Sequence, residues 1–222
     1  MLKVLFAISA VYGLLIGLLL SFLFCYLDKD RKKINFKYLI LTFLGGCLAC
    51  YLSSRLEWHF GSYFKEMSES NLFEVFIYAL FGVAVFEEGL KLFFAFIFSR
   101  LDKVKSINNI MTYCVIASCG FITIENMIYY KVTIGRILTS IPSHICFAIA
   151  MGLLLYKANN KSNKSLLYLF LAFIVPSILH AIYNMFLYQG VNSLFIFSKI
   201  YLFILVIICV YIVFRVYIKK IN

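Results

Sequence analysis

Proline is nearly absent from this chain, and aspartate is almost as rare. Two prolines, Pro142 and Pro176, serve 222 residues, so long helices can run without a break. The three aspartates, Asp28, Asp30 and Asp102, all stand in loops between apolar runs, which excludes an intramembrane aspartyl dyad. No H-E-x-x-H occurs, and with it goes the helical zinc-protease motif. No G-x-S occurs either, so the usual setting of a membrane serine nucleophile is missing. Cys47 and Cys50 form a single C-x-x-C inside an apolar run, without a second pair or nearby histidines. They and the other five cysteines read as packing residues in a reduced state, not as a zinc site. No internal repeat with matching residues is present, and charged residues make up only 14% of the chain.

What the chain has instead is apolar length. It is 64% hydrophobic, more than a soluble domain of this size can bury, and several runs are long enough to cross a hydrocarbon core about 30 Å thick. The reading is an all-α, polytopic membrane helix bundle forming one domain over residues 1–222. Seven spans are expected: Leu2–Leu27, Phe36–Ser53, Leu72–Ser99, Asn108–Tyr130, Arg136–Tyr156, Leu166–Tyr188 and Ser193–Tyr217. The first is too long for the apolar core of a cleavable signal and is kept as a helix. The second is the shortest, and its Gly45–Gly46 pair marks it as the span most open to tilting or breaking. Gly13 and Gly17 form a G-x-x-x-G, a candidate close-packing face.

The net charge of +11 lies in the connecting segments, without the arginine-rich aromatic stripe of a nucleic-acid binder. Fourteen cations, among them Lys29, Arg31–Lys33, Arg100, Lys103, Lys157 and Lys219, fall on one side. Six, Lys3, Arg55, Lys65, Lys131, Arg136 and Lys199, fall on the other. Because basic loops stay in the cytoplasm, the N-terminus is expected outside and the C-terminus inside, as seven spans require. The segment Ser54–Asn71, with Glu57, Glu66, Glu69 and Trp58, is then an extracytoplasmic loop or interfacial stretch.

Four ionisable residues contradict their greasy surroundings. Glu87, Glu88 and Lys91 interrupt the third run and Glu125 interrupts the fourth. Each charge at a bilayer centre costs about 2.5–3.5 kcal/mol, so together they amount to roughly 10 kcal/mol unless a protein-lined interior hides them. Lys91 stands three residues from Glu88 and four from Glu87, within reach of either carboxylate. Phe121 and Glu125 share a face of the fourth helix, and His180 and Asn184 a face of the sixth; His144 stands alone on the fifth. His144 lies eight residues from Arg136, His180 eight from Tyr188 and Glu125 six from Lys131, so the three fall at one level of the outer half. Glu87 lies nearer the middle. Pro142 and Pro176 precede the two histidines and are expected to bend their helices beside a wet pocket. A carboxylate pair, two imidazoles and an amide can activate water and hold an oxyanion without a metal or another cofactor.

At these residues the chain resembles the PrsW family of glutamic-type intramembrane proteases, relatives of the CAAX-processing and bacteriocin-immunity proteases. E-E-x-x-K is Glu87–Lys91, F-x-x-x-E is Phe121–Glu125, a separate histidine is His144, and H-x-x-x-N is His180–Asn184. The motif-bearing core covers roughly residues 73–188. The resemblance implies extracytoplasmic-side cleavage of a single-span anti-sigma factor in a bacterial plasma membrane, with the lipid bilayer and that substrate as partners. It further implies that Glu87 or Glu88 activates water and that His180 with Asn184 holds the oxyanion. The CAAX-type relatives have histidine where this chain has Glu125, which leaves Glu125 or His144 as the partner of the base. The rival reading of the same buried charges is a small proton-coupled transporter.

Overall fold

Helices and closed β-barrels are the two ways a chain can satisfy its backbone N–H and C=O groups in lipid, and this chain takes the first. The computed structural model describes residues 2–28, 30, 33–64, 71–128, 136, 138–160, 162–188 and 192–218, and all regular structure among them is helical. Among the described residues seven long helices are present: α1 (Leu2–Leu27), α2 (Phe36–Phe60), α3 (residues 72–101), α4 (Ile107–Ile128), α5 (Ser140–Asn160), α6 (Ser165–Tyr188) and α7 (Asn192–Val213). Five stretches are long and apolar enough to cross a membrane: Phe36–Phe64, Ile107–Ile128, Ser140–Asn160, Ser165–Tyr188 and Ile196–Tyr217. The seven expected spans thus appear as helices in order, and among the described residues five of them meet the length and apolarity of a span. Lys29, Arg31, Lys32, Lys65, Glu66, Glu69, Tyr130, Lys131 and Lys219 lie outside the described residues.

Three expectations are corrected. The second helix does not end at Ser53 but continues through Glu57 to Phe60, starting from an Asn35 cap whose side chain accepts from Lys37 N at 3.0 Å. It is not broken at Gly45–Gly46. Gly46, with Gly120, lets α2 lie directly on α4: a Cβ on Gly46 would collide with the Ala117 carbonyl, and one on Gly120 with the Phe43 carbonyl, while Gly45 faces the Phe94 ring of α3. The fifth helix begins at Ser140 rather than Arg136, which puts Pro142 in its first turn, where a missing N–H is tolerated and no bend is needed. Pro176 does lie within α6.

α4 is the axis of the bundle. Every residue from Asn108 to Thr123 is buried, and α1, α2, α3 and α5 pack around it. The Gly13-x-x-x-Gly17 face of α1 rests on Thr123, whose hydroxyl donates to Cys119 O at 2.9 Å. One end of the axis is locked by polar contacts. Asp28, wholly buried just past α1, accepts from Thr112 Oγ1 at 3.0 Å, and Tyr217 beyond α7 donates to Asn108 O at 3.2 Å. α6 packs on α5 and α3, and α7 covers α5 and α6 from outside. The outward faces carry exposed Phe22, Leu166 and Phe203, as lipid contact requires.

α3 is a composite. An Asn71 cap accepts from Phe73 N and Glu74 N, both at 3.1 Å, and starts Leu72–Ile77. The wider π-helical Tyr78–Ala84 follows, then α-helical Val85–Leu101. The widened turns end one turn before Glu87, so they set the rotation at which the acidic pair enters the bundle.

Gly120→Val should drive methyl groups into the Phe43 carbonyl and cost about 1–3 kcal/mol or more. Thermal unfolding of the purified protein in detergent measures it. An unchanged midpoint would show that α2 and α4 do not touch at this point.

Candidate active site

Helical spacing brings Lys91 over both glutamates, and packing closes its other sides. Its ammonium lies 2.8 Å from Glu88 Oε1, 3.3 Å from Glu87 Oε2 and 3.0 Å from His144 Nδ1. Three N–H bonds thus meet three acceptors, and the face of Phe121 covers the nitrogen at 3.8 Å from the ring centroid. Lys91 and Glu88 are wholly buried. A charge placed so deeply persists only when paired and fully hydrogen-bonded, and this one is.

The partners assign the histidine tautomers. An ammonium has no lone pair, so His144 Nδ1 accepts from Lys91 and its proton sits on Nε2, which faces Glu125 Oε2 at 3.3 Å. His144 is thus hydrogen-bonded through Nδ1 and holds Nε2 within ion-pair distance of Glu125. His180 differs. Its Nδ1 donates to Glu88 Oε1 at 2.9 Å and lies 3.9 Å from Glu87 Oε2, which leaves Nε2 for the cavity. Its ring stacks on Phe147 with centroids 5.0 Å apart, and the two imidazoles meet edge to face at 5.1 Å.

Glu125 is held from the other side. Arg136 Nη2 lies 2.9 Å from its Oε2, although neither this contact nor that from His144 is aligned as a hydrogen bond. The guanidinium is steadied by Asn126 Oδ1 at 3.2 Å and Ser140 Oγ at 3.3 Å.

These groups border a cavity of about 530 Å³, lined by Glu57, Glu87, Glu125, His144, His180, Tyr183 and Asn184, with Arg136, Tyr188 and Lys199 also on its wall. Glu87, 7% exposed, opens onto it; Glu88 lies behind and does not. The structure therefore brings together every residue singled out from the sequence: Glu87, Glu88 and Lys91 from α3, Phe121 and Glu125 from α4, His144 from α5, and His180 and Asn184 from α6. It adds three that had been assigned to the outer side, Glu57, Arg136 and Lys199. Glu57 continues the buried stripe Gly46, Ala49, Cys50, Ser53 of α2 and would have been found had the helix been carried past Ser53. Arg136 is the cation that Glu125 lacked on its own helix.

Residues 35–213 match the family described as PrsW family intramembrane metalloprotease. Curated relatives named Protease PrsW include one from Oceanobacillus iheyensis, 34% identical over 65% of this chain and 69% of the relative. Another, from Clostridioides difficile, is 32% identical over 79% of this chain and 76% of the relative. A third, from Halalkalibacterium halodurans, is 26% identical over 82% of each. No solved structure matches. The transporter reading gives way to this family.

The family description names a metal, and the donors can be tested against one. Glu87, Glu88, His144 and His180 offer ligand atoms within 4.8 Å of one another, the number and type a zinc ion takes. Lys91 already fills that seat. A dication about 2 Å from the carboxylates would face an ammonium 2.8 Å from Glu88 and would take His144 Nδ1 from it. With Lys91 in place the residues do not fit a resident metal ion.

Lys91→Met should destabilise the protein by about 3–5 kcal/mol, because Glu88 is left buried without its cation. Thermal unfolding in detergent reads the loss. A variant as stable as the wild type would mean that the ammonium does not neutralise the pair.

Proposed function

Because the chain belongs to the PrsW family of intramembrane proteases, we propose that it cuts a single-span anti-sigma factor near the extracytoplasmic face of a bacterial plasma membrane, using water activated by Glu87 without a metal. The observation that carries this reading is the division of labour in the acidic pair. Glu88 is committed to Lys91 and His180 behind the cavity wall, while Glu87, holding Lys91 through one oxygen, borders the cavity. The charge bias of the loops supports an outward N-terminus, and with it a cavity open to the outside.

Glu87 takes a proton from a cavity water as the water oxygen bonds to the substrate carbonyl carbon. General-base assistance of this kind is worth about 10²–10⁴-fold. His180, anchored through Nδ1 on Glu88, holds the water with Nε2. With its Nδ1–H turned to Glu88, His180 is assigned to the water rather than to the oxyanion. Donation to the oxyanion falls to Asn184, one turn along α6 on the same wall. The proton on Glu87 then passes to the leaving nitrogen as the C–N bond breaks, giving an acid and an amine. His144, bonded to Lys91 through Nδ1 and facing Glu125 with Nε2, keeps the base's surroundings fixed.

Glu87→Gln and His180→Ala should each lower cleavage of a co-expressed anti-sigma factor by about 10²-fold or more, with the protein still accumulating in the membrane. Immunoblots of substrate fragments and of the enzyme check both. Normal cleavage by Glu87→Gln would remove Glu87 from the reaction.

A further inference from the structure

We propose that Glu57 is a specificity-determining residue: its carboxylate receives a lysine or arginine side chain of the substrate beside the bond to be cut. This rests on the protease reading of the same cavity and adds a substrate class to it.

Glu57 stands in the last turn of α2 and lines the cavity together with Glu87, Glu125, His180 and Asn184. The side chain is half-buried with Ser53, one turn back, as its hydrogen-bonding neighbour, and its Oε1 is closed off from solvent with no hydrogen-bond donor among the described residues. The other cavity carboxylates have cations of their own. Lys91 serves Glu87 and Glu88, and Arg136 serves Glu125 while also holding Asn126 and Ser140. Among the described residues no cation forms an ion pair with Glu57, and Lys199, exposed on the cavity wall, has contacts of its own.

A peptide that enters the cavity displaces water from Glu57. An apolar or acidic side chain at that place would strand a buried carboxylate, which is strongly unfavourable, whereas a cation supplies the missing partner. Lysine and arginine suit the location, since their apolar stems lie along greasy walls while the charge reaches a polar spot. Glu57 takes no part in the bond-breaking steps above, so its effect should depend on the substrate's charge.

The test uses the full chain in nanodiscs and a single-span model substrate with an apolar span of about 20 residues. Lys, Gln or Glu is placed in turn at each position flanking the cut, which mass spectrometry locates. At one position, wild type should favour Lys over Gln by about 10-fold in kcat/KM. Glu57→Gln should abolish that ratio, and Glu57→Lys should favour the Glu substrate. Equal losses on all three substrates, or a ratio unchanged in Glu57→Gln, would overturn the proposal.

Binding of the same substrates to Glu87→Gln, with and without Glu57→Gln, is measured by fluorescence anisotropy. A Lys preference that disappears with Glu57→Gln supports the proposal even if no substrate is cut, a result that would count against the protease reading alone. Cleavage with no charge preference in either assay would leave the protease reading standing and remove Glu57 from recognition.

Discussion

The ammonium of Lys91 is the point on which the site depends. Inside a low-dielectric bundle, two adjacent carboxylates repel each other and pull α3 toward water. One buried cation with three N–H bonds turns that liability into a connector, because its third acceptor, His144, belongs to another helix. Glu88 carries the connection on to His180 of α6, and His144 carries it to Glu125 of α4. Four helices are thereby tied at one level, with one side of the Glu87 carboxylate and an imidazole nitrogen facing the cavity.

The same arrangement separates support from chemistry. Buried ion networks seldom add net stability, but removing one partner is costly, so they fix geometry more than they strengthen the fold. Glu88 and Lys91 hold positions, while Glu87, His180 and Asn184 border the space where a peptide and a water could meet. Around them the bundle supplies rigidity through close backbone contact: Gly13 and Gly17 seat α1 on α4, and Gly46 and Gly120 seat α2 there. The π-helical turns of α3 then set the angle from which the acidic pair enters.

Much of this was legible in the sequence, for reasons that differ by residue. Runs of apolar residues with almost no proline mark helices strongly, and charges that lipid would reject mark the site. The i, i+3 and i, i+4 spacings put Lys91 with its glutamates and His180 with Asn184. The end of α2 was hidden because Ser53, Ser54 and Arg55 look like a loop, yet Ser53 packs inside and Glu57 follows it toward the cavity. Arg136 was counted as a surface cation because its partner, Glu125, lies on another helix, and no spacing rule reaches across helices. The roles of the two histidines also needed coordinates: their tautomers follow from partners that arrive from two other helices, α3 and α4.

The most direct measurement of the central claim is the metal content of active protein. Elemental analysis by mass spectrometry is run on purified chain alongside its peptidase rate. With Lys91 occupying the seat among Glu87, Glu88, His144 and His180, full activity is expected at far less than one transition-metal ion per chain. A rate that rises and falls with one bound zinc per chain would contradict the account.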